Sequence, residues 1–243
     1  MFRSLLVLVV VALAADAKKL ASYIKPCKRD DPNLNECAKK NGLEAIPFLL
    51  KGDKEYKNPS LSPLLLPRLD VDAGANLKIT FTDVTLRGLE TVDFRDIKIN
   101  LDKKTIFVQV ALKALNLQGH YEIDGRILVL PIQGNGPCNL TFEDLVVNYG
   151  FKYELVKKED GKNYINPNIK PDVTYTMKNV HFQFDNLFNG DKTLGDQTNK
   201  FLNENSGDIN KDLGESISQT ISAVVTNIIQ LIVAVVPYDE IFI

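Results

Sequence analysis

SAVVTNIIQLIVAVVPYDEIFI, residues 222–243, closes a chain in which 25% of residues are charged, yet residues 216–238 carry no charge at all. Such a run can cross a membrane, plug a core or line a cavity. Leu213, Ile217, Ile221, Val224, Val225, Ile228, Leu231, Ile232 and Val235 recur three and four apart, which is the apolar face of a helix. Gln219, Ser222, Thr226 and Gln230 stack on the other side with Asn227 beside them, a polar stripe that lipid would not tolerate. The apolar stretch 221–236 is 16 residues, about 24 Å at a rise of roughly 1.5 Å per residue, against a hydrocarbon thickness of about 30 Å. Pro237 stops the helix, and the acidic Asp239-Glu240 that follow argue against a cleaved lipid-anchor tail. The run therefore reads as a long helix held inside protein, with no stable membrane insertion.

A sheet is the element that can hold it. Leu77, Ile79 and Phe81 alternate, the phase slips at Asp83, and Val84 and Leu86 resume on the other parity, as at a β-bulge. Ile97, Ile99 and Leu101 alternate next, then Ile106, Val108, Val110 and Leu112, while RILVLPI (126–132) is apolar on both parities. The clearest strand runs through Leu145, Val147, Tyr149, Phe151, Tyr153 and Leu155, and KKEDGKN (157–163) reads as the turn that ends it. Val173, Tyr175 and Met177, then Val180, Phe182 and Phe184 after another slip, form the return. No helix of a dozen residues interrupts this region, so the strands are joined by hairpins and the sheet is antiparallel. Long strands with phase slips curve, and a curved sheet with one apolar face needs something to curl around. The fold class is α+β, a long C-terminal helix wrapped by a strongly curved antiparallel sheet. A short helix over residues 33–45, ended or kinked at Pro47, precedes it.

Arg3, the apolar residues 5–14 and the small-x-small site Ala15-Asp16-Ala17 read as a signal peptide over residues 1–17. The domain proper is then a single unit, 18–243, in a secreted, extracellular setting. Net charge is −2 with no basic block, which gives no footing for nucleic acid. Of three pairings open to Cys27, Cys37 and Cys138, the local loop CKRDDPNLNEC favours a Cys27–Cys37 disulfide, adding roughly 3 kcal/mol in the chain-entropy account. Cys138 is then a buried structural thiol.

NLFNGDKTLGDQTNKFLNEN (186–205), followed by the long helix and the closing VPYDEIFI (236–243), resembles the takeout and juvenile-hormone-binding-protein family of insects, on its takeout branch. GHYEIDGRILVLPIQGNGPCNLTFEDL (119–145) is similar to that family's middle segment, and the early cysteine pair to its amino-terminal disulfide. Two departures stand out. Ser206-Gly207 occupies the place where takeout-like chains carry a tryptophan, and Ile241 replaces a leucine; the first is expected to loosen packing at the helix start. The resemblance implies a tubular lipid-binding fold with a hydrophobic tunnel for isoprenoid or fatty-acyl ligands, a property that periodicity alone does not reach.

Catalytic patterns are missing. No G-x-S-x-G occurs, GNGPCN (134–139) lacks the glycines and the helix of a dinucleotide loop, and His120 and His181 sit in strand patterns without a nucleophile at a telling spacing. Neither a metal nor a cofactor is implied. The leading reading is a monomeric carrier of a small hydrophobic ligand. Phe151, Phe182, Phe184, Ile221, Val225 and Ile228 are its candidate walls, and Tyr149, Tyr153 and Tyr175 supply candidate hydroxyls. The alternative is an extracellular interaction or signalling protein whose tunnel is filled by side chains, with an esterase third. Asn139-Leu140-Thr141 is a candidate glycosylation acceptor beside the turn QGNGPC.

Overall fold

The computed structural model describes residues 19–72, 77–166, 168 and 170–243. The expected signal peptide lies outside the described residues. The frame of the fold is one long hairpin. Strands β4 (Thr105–Ile127) and β5 (Leu130–Lys152) are each 23 residues and pair from Thr105↔Lys152 to Ile127↔Leu130. RILVLPI is therefore not a strand of its own but the hairpin tip: Leu128 takes a left-handed φ of 53° and Val129 is 81% exposed, while Ile127 and Ile132 are buried on either side. Apolarity on both parities marks the reversal. The clearest strand also ends earlier than its alternation suggests, because Leu155 belongs to a separate short strand, β6 (Leu155–Lys157), paired with β7 (Asn163–Ile165).

Each long strand is too long for one partner and takes two. The first half of β4 pairs with β3 (Asp93–Asn100) and its second half with β2 (Leu77–Arg87), which in turn carries β1 (Leu64–Asp72). The first half of β5 pairs with β9 (Asn179–Phe184) and its second half with β8 (Lys170–Thr176). The bulge expected at Asp83 is there, with φ of 51° and a register shift between Thr82 and Thr85. Opposite it, a Cβ on Gly119 would stand 2.8 Å from the Thr82 carbonyl oxygen, so β4 can pass the bulge only as glycine.

The sheet curls without closing. Its terminal strands β1 and β8 both touch helix α4 (Gly214–Val233), which lies along the open side. The Ser216 hydroxyl donates to the Asp72 carbonyl at 2.8 Å and ties the start of α4 to the end of β1. Helix α1 (Leu34–Lys51) packs on β3, and the Asn35 side-chain oxygen accepts the Ile99 backbone N–H at 2.8 Å. Pro47 does not end this helix, which runs on to Lys51. The residue is exposed, so the lost backbone bond falls on the solvent side, where water can serve the stranded carbonyl.

Helix α2 (Lys192–Glu204) starts on Asp191, whose carboxylate accepts from the Leu194 N–H at 3.0 Å. Its Asn199 and Asn203 act as a strand would. Asn199 accepts from the Phe184 N–H at 2.9 Å and donates to the Phe184 carbonyl at 2.8 Å; Asn203 does the same for Phe182, at 2.8 Å both ways. A rise of about 6 Å over four helical residues matches about 6.8 Å over two strand residues, so the spacing fits. Helix α3 (Ser206–Asp212) follows, and a Cβ on Gly207 would meet nothing within 4 Å. That is open space where related chains are expected to carry a tryptophan.

The far end is fastened by the termini. Cys27 and Cys37 are disulfide-bonded. The Ile243 N–H donates to the Cys27 carbonyl at 3.1 Å, and the Arg29 N–H returns to the Ile243 carbonyl at 2.8 Å. Arg29 also donates to the Phe242 carbonyl at 2.7 Å, pairs with Asp239 and lies over the ring of Tyr238 in α5 (Tyr238–Ile241). Replacing Asn203 by alanine strands both backbone groups of Phe182 beneath α2, and is expected to cost about 1–3 kcal/mol. Chemical denaturation checks this; a midpoint equal to wild type would show that the asparagine ladder carries no stability.

Candidate functional site

The concave face between α4 and the β3–β4–β5 sheet decides what the fold can hold. Tyr149 and Phe151 of β5 and Tyr153 just beyond it are buried together with Val233, Tyr238 and Phe242, and Ile99, Ile106, Val225 and Ile229 pack against this group. Further along, Leu112, Leu145 and Val147 are buried, with Val110, Tyr175 and Ile221 against them. The residues that face one another across the middle, Ile99, Ile106 and Val110 from the sheet and Ile221, Val225 and Ile229 from the helix, are only half-buried. Partial exposure of apolar side chains on the concave face means that neighbouring atoms do not fully cover them.

Two grooves flank α4. One, about 310 Å³, lies against β1 and is apolar through Leu64, Leu66, Leu69, Val224, Ile228 and Leu231, with the Arg68–Asp70 pair at its rim. The other, about 470 Å³, lies against β8 and is polar, bordered by Asp172, Glu215, Ser218, Ser222 and Thr226. Gln219, Ala223 and Asn227 are the exposed outer ridge of the helix. Thr226 departs from the outward polar stripe expected of it: it is 8% exposed, and its hydroxyl meets the Tyr149 hydroxyl at 2.7 Å. A stripe of small polar residues is wide enough that one flank turns in toward the sheet.

The nine candidate wall and hydroxyl residues divide among several places. Tyr149, Phe151 and Tyr153 share one cluster with Val225, while Tyr175 and Ile221 share the next. Ile228 lines the apolar groove. Phe182 and Phe184 sit apart, in the core with Leu202 and Ile209 beneath α2 and α3. The hydroxyls are engaged: Tyr153 meets Tyr238 at 2.9 Å, and Tyr175 donates to the Asn210 side chain at 2.7 Å. The reading from sequence missed Ile99, Ile106 and Val110 as wall residues. Their alternation was visible, but only the register of β3 on β4 and of β4 on β5 puts them opposite α4.

Burial raises the Tyr149 phenol above its ordinary range, with the Thr226 hydrogen bond pulling weakly the other way. Burial alone lifts Tyr175 to about 12, and Tyr121 and Tyr153 also rise chiefly through burial. Cys138 is a buried free thiol, pushed by burial up to about 11. His120 and His181 are both exposed on the outer face. Among the described residues no three His, Cys, Asp or Glu side chains converge as a metal site would need.

A curved, unclosed antiparallel sheet with a long helix along its open side defines a tubular α+β class. The chain belongs to the haemolymph juvenile hormone binding protein family, whose model matches residues 5–243. It is 27% identical over 243 residues to the circadian clock-controlled protein daywake of Drosophila melanogaster, covering 96% of this chain and 92% of that one. The Drosophila yakuba daywake protein is 26% identical over 231 residues, covering 91% and 87%. The crystal structure of Takeout 1 from Epiphyas postvittana superposes with a TM-score of 0.75 at 28% identity, covering 90% of this chain and 99% of that one.

Two outcomes follow from these positions. Thr226→Val keeps the shape but leaves the Tyr149 hydroxyl unpaired in the interior, at a cost of about 1–3 kcal/mol, whereas adding Tyr149→Phe should recover part of that loss. Additive losses in a double-mutant cycle would show that the two hydroxyls do not interact. The raised groups hold their protons more tightly folded than unfolded. Their contribution is thus intact below the unfolded values, near 8.5 for cysteine and 10 for tyrosine, and is lost as pH rises toward the folded ones. Denaturation midpoints should fall between about pH 9 and pH 11, and Cys138 should react with thiol reagents only on unfolding. A flat profile to pH 11 would contradict the assignment.

Proposed function

We propose that this protein is a secreted, monomeric, non-catalytic carrier that holds a small hydrophobic ligand, an isoprenoid or fatty-acyl lipid, between α4 and the curved sheet. The observation that carries the reading is the half-buried apolar lining on both sides of that space, Ile99, Ile106 and Val110 opposite Ile221, Val225 and Ile229. Membership of a family named for haemolymph juvenile hormone binding supports both the ligand class and the extracellular setting. So does a disulfide, which persists in oxidising compartments.

Energetics permit it. About fifteen buried methylene-like carbons offer roughly 12 kcal/mol of transfer free energy at about 0.8 each, and association takes back several. Micromolar to nanomolar affinity needs no charged contact. By length and composition α4 could cross a membrane, but its bonds to Asp72 and Tyr149 and its polar outer ridge favour a place in the fold. One observation favours the second reading, an interaction protein with a filled tunnel. The buried aromatic group of Tyr149, Phe151, Tyr153 and Tyr238 plugs one end of the space.

Val225→Trp separates the two. A carrier with free space accepts the added volume, so melting should stay near normal while affinity for a lipophilic fluorescent probe falls at least about tenfold, which is about 1.4 kcal/mol. A filled core would resist the same change by about 1–3 kcal/mol and have no probe to lose. Unchanged probe binding would remove Val225 from the wall, and a wild-type protein that binds no lipophilic probe and carries no lipid in native mass spectrometry would overturn the carrier reading.

A further inference from the structure

The convex face carries a groove that the carrier reading does not use. It encloses about 360 Å³ and is bordered by Asp83, Thr85, Gln118, His120, Gln183 and Asp185. Asn139, which opens the only Asn-x-Ser/Thr tripeptide of the sequence whose middle residue is not proline, stands in its wall. Alternation along β5 turns Cys138 and Leu140 inward and Asn139 outward, exposed. By register its neighbours across the ladder are Gln118 on β4 and Gln183 on β9.

The local bonding suits a modified asparagine. The Asn116 side-chain nitrogen donates to Asn139 Oδ1 at 2.6 Å and to Thr141 Oγ1 at 2.9 Å. The bond to Asn139 engages the oxygen of the amide, not the nitrogen that would take a sugar. A secondary amide keeps that oxygen as an acceptor, so the Asn116 bond survives modification. Substitution at an outward position of a sheet whose core lies on the other face also displaces no packed side chain.

We propose that Asn139 bears an N-linked oligosaccharide whose innermost sugars rest in this groove, against the amides of Gln118 and Gln183 and the rim of His120. In the transfer, the Asn139 amide nitrogen bonds to the anomeric carbon of a lipid-diphosphate-linked oligosaccharide. The bond from that carbon to the diphosphate oxygen breaks, and the amide gives up one proton. Carboxylates and carboxamides around a shallow groove offer the acceptors and donors that sugar hydroxyls pair with. The inference rests on the secretory reading, because the donor lipid is met only by a chain that enters the secretory pathway.

The test is expression of the full chain in insect cells, with peptide-N-glycosidase treatment and intact-mass measurement of the protein in the medium. Wild type and Thr141→Ser should lose one oligosaccharide's mass on treatment, and Asn139→Gln and Thr141→Val should show none. Release from the folded protein should be slower than from the denatured one, and Gln118→Ala with Gln183→Ala should speed it. Protein in the medium at the unmodified mass would overturn the proposal and leave the carrier reading standing. Retention of wild type inside the cell would overturn both the proposal and the extracellular setting. Release as fast from the native as from the denatured protein would overturn the seating in the groove.

Discussion

An antiparallel sheet that curls but does not close leaves its two end strands, here β1 and β8, unpaired on one side and its apolar concave face uncovered, and something must meet all three. Here the obligation falls on α4. It touches β1 on one side and β8 on the other while its apolar face looks across to β3, β4 and β5. Unpaired strand edges are a hazard in any soluble protein. A single helix laid along the seam answers both edges at once, and it can do so only if it is apolar inward and polar outward. The uncharged run at the end of the sequence is the consequence.

The remaining edges are handled by side-chain amides. Asn35 takes one backbone N–H of β3, and Asn199 and Asn203 take both backbone groups of two residues on β9. A carboxamide carries its acceptor and its donor on separate atoms, so one side chain can take both the N–H and the carbonyl of a residue. Spaced four apart on a helix, two of them reproduce the repeat of a strand. This gives the segment from Asn186 to Asn205 its physical content: Leu187 and Leu202 are buried in the core, Asp191 caps the helix, and the asparagines bond the sheet.

Much of this was readable in advance because it is local. The bulge at Asp83, the strand phases, the turn at 157–163 and the helix all follow from alternation and spacing within a dozen residues. What was not readable depends on register. Ile106 and Val110 belong opposite α4 only because Thr105 pairs with Lys152, some fifty residues away. Phe182 and Phe184 look like tunnel walls by alternation, yet α2 covers that stretch and makes them core. Thr226 sat on the edge of the polar stripe, where a small rotation of the helix decides between water and Tyr149. Of the two outcomes open at Pro47, ending or kinking the helix, the structure excludes the first, because the missing bond falls where water can replace it.

The distribution of tight and loose packing then has a logic of its own. Leu202 and Ile209 at one end, and Val236 and Tyr153 at the other, are almost wholly removed from solvent. The first end is tied by the asparagine ladder, the second by the disulfide, the Arg29 contacts and the Tyr153–Tyr238 bond. Between them the facing residues of α4 and β4 are left half-buried. Large-to-small core changes cost in proportion to the cavity they leave, so a fold whose middle is less completely buried must find its stability elsewhere. Fastening both ends does this, and leaves the facing apolar side chains of α4 and the sheet half-buried between them, the surface that the proposed carrier function assigns to a ligand.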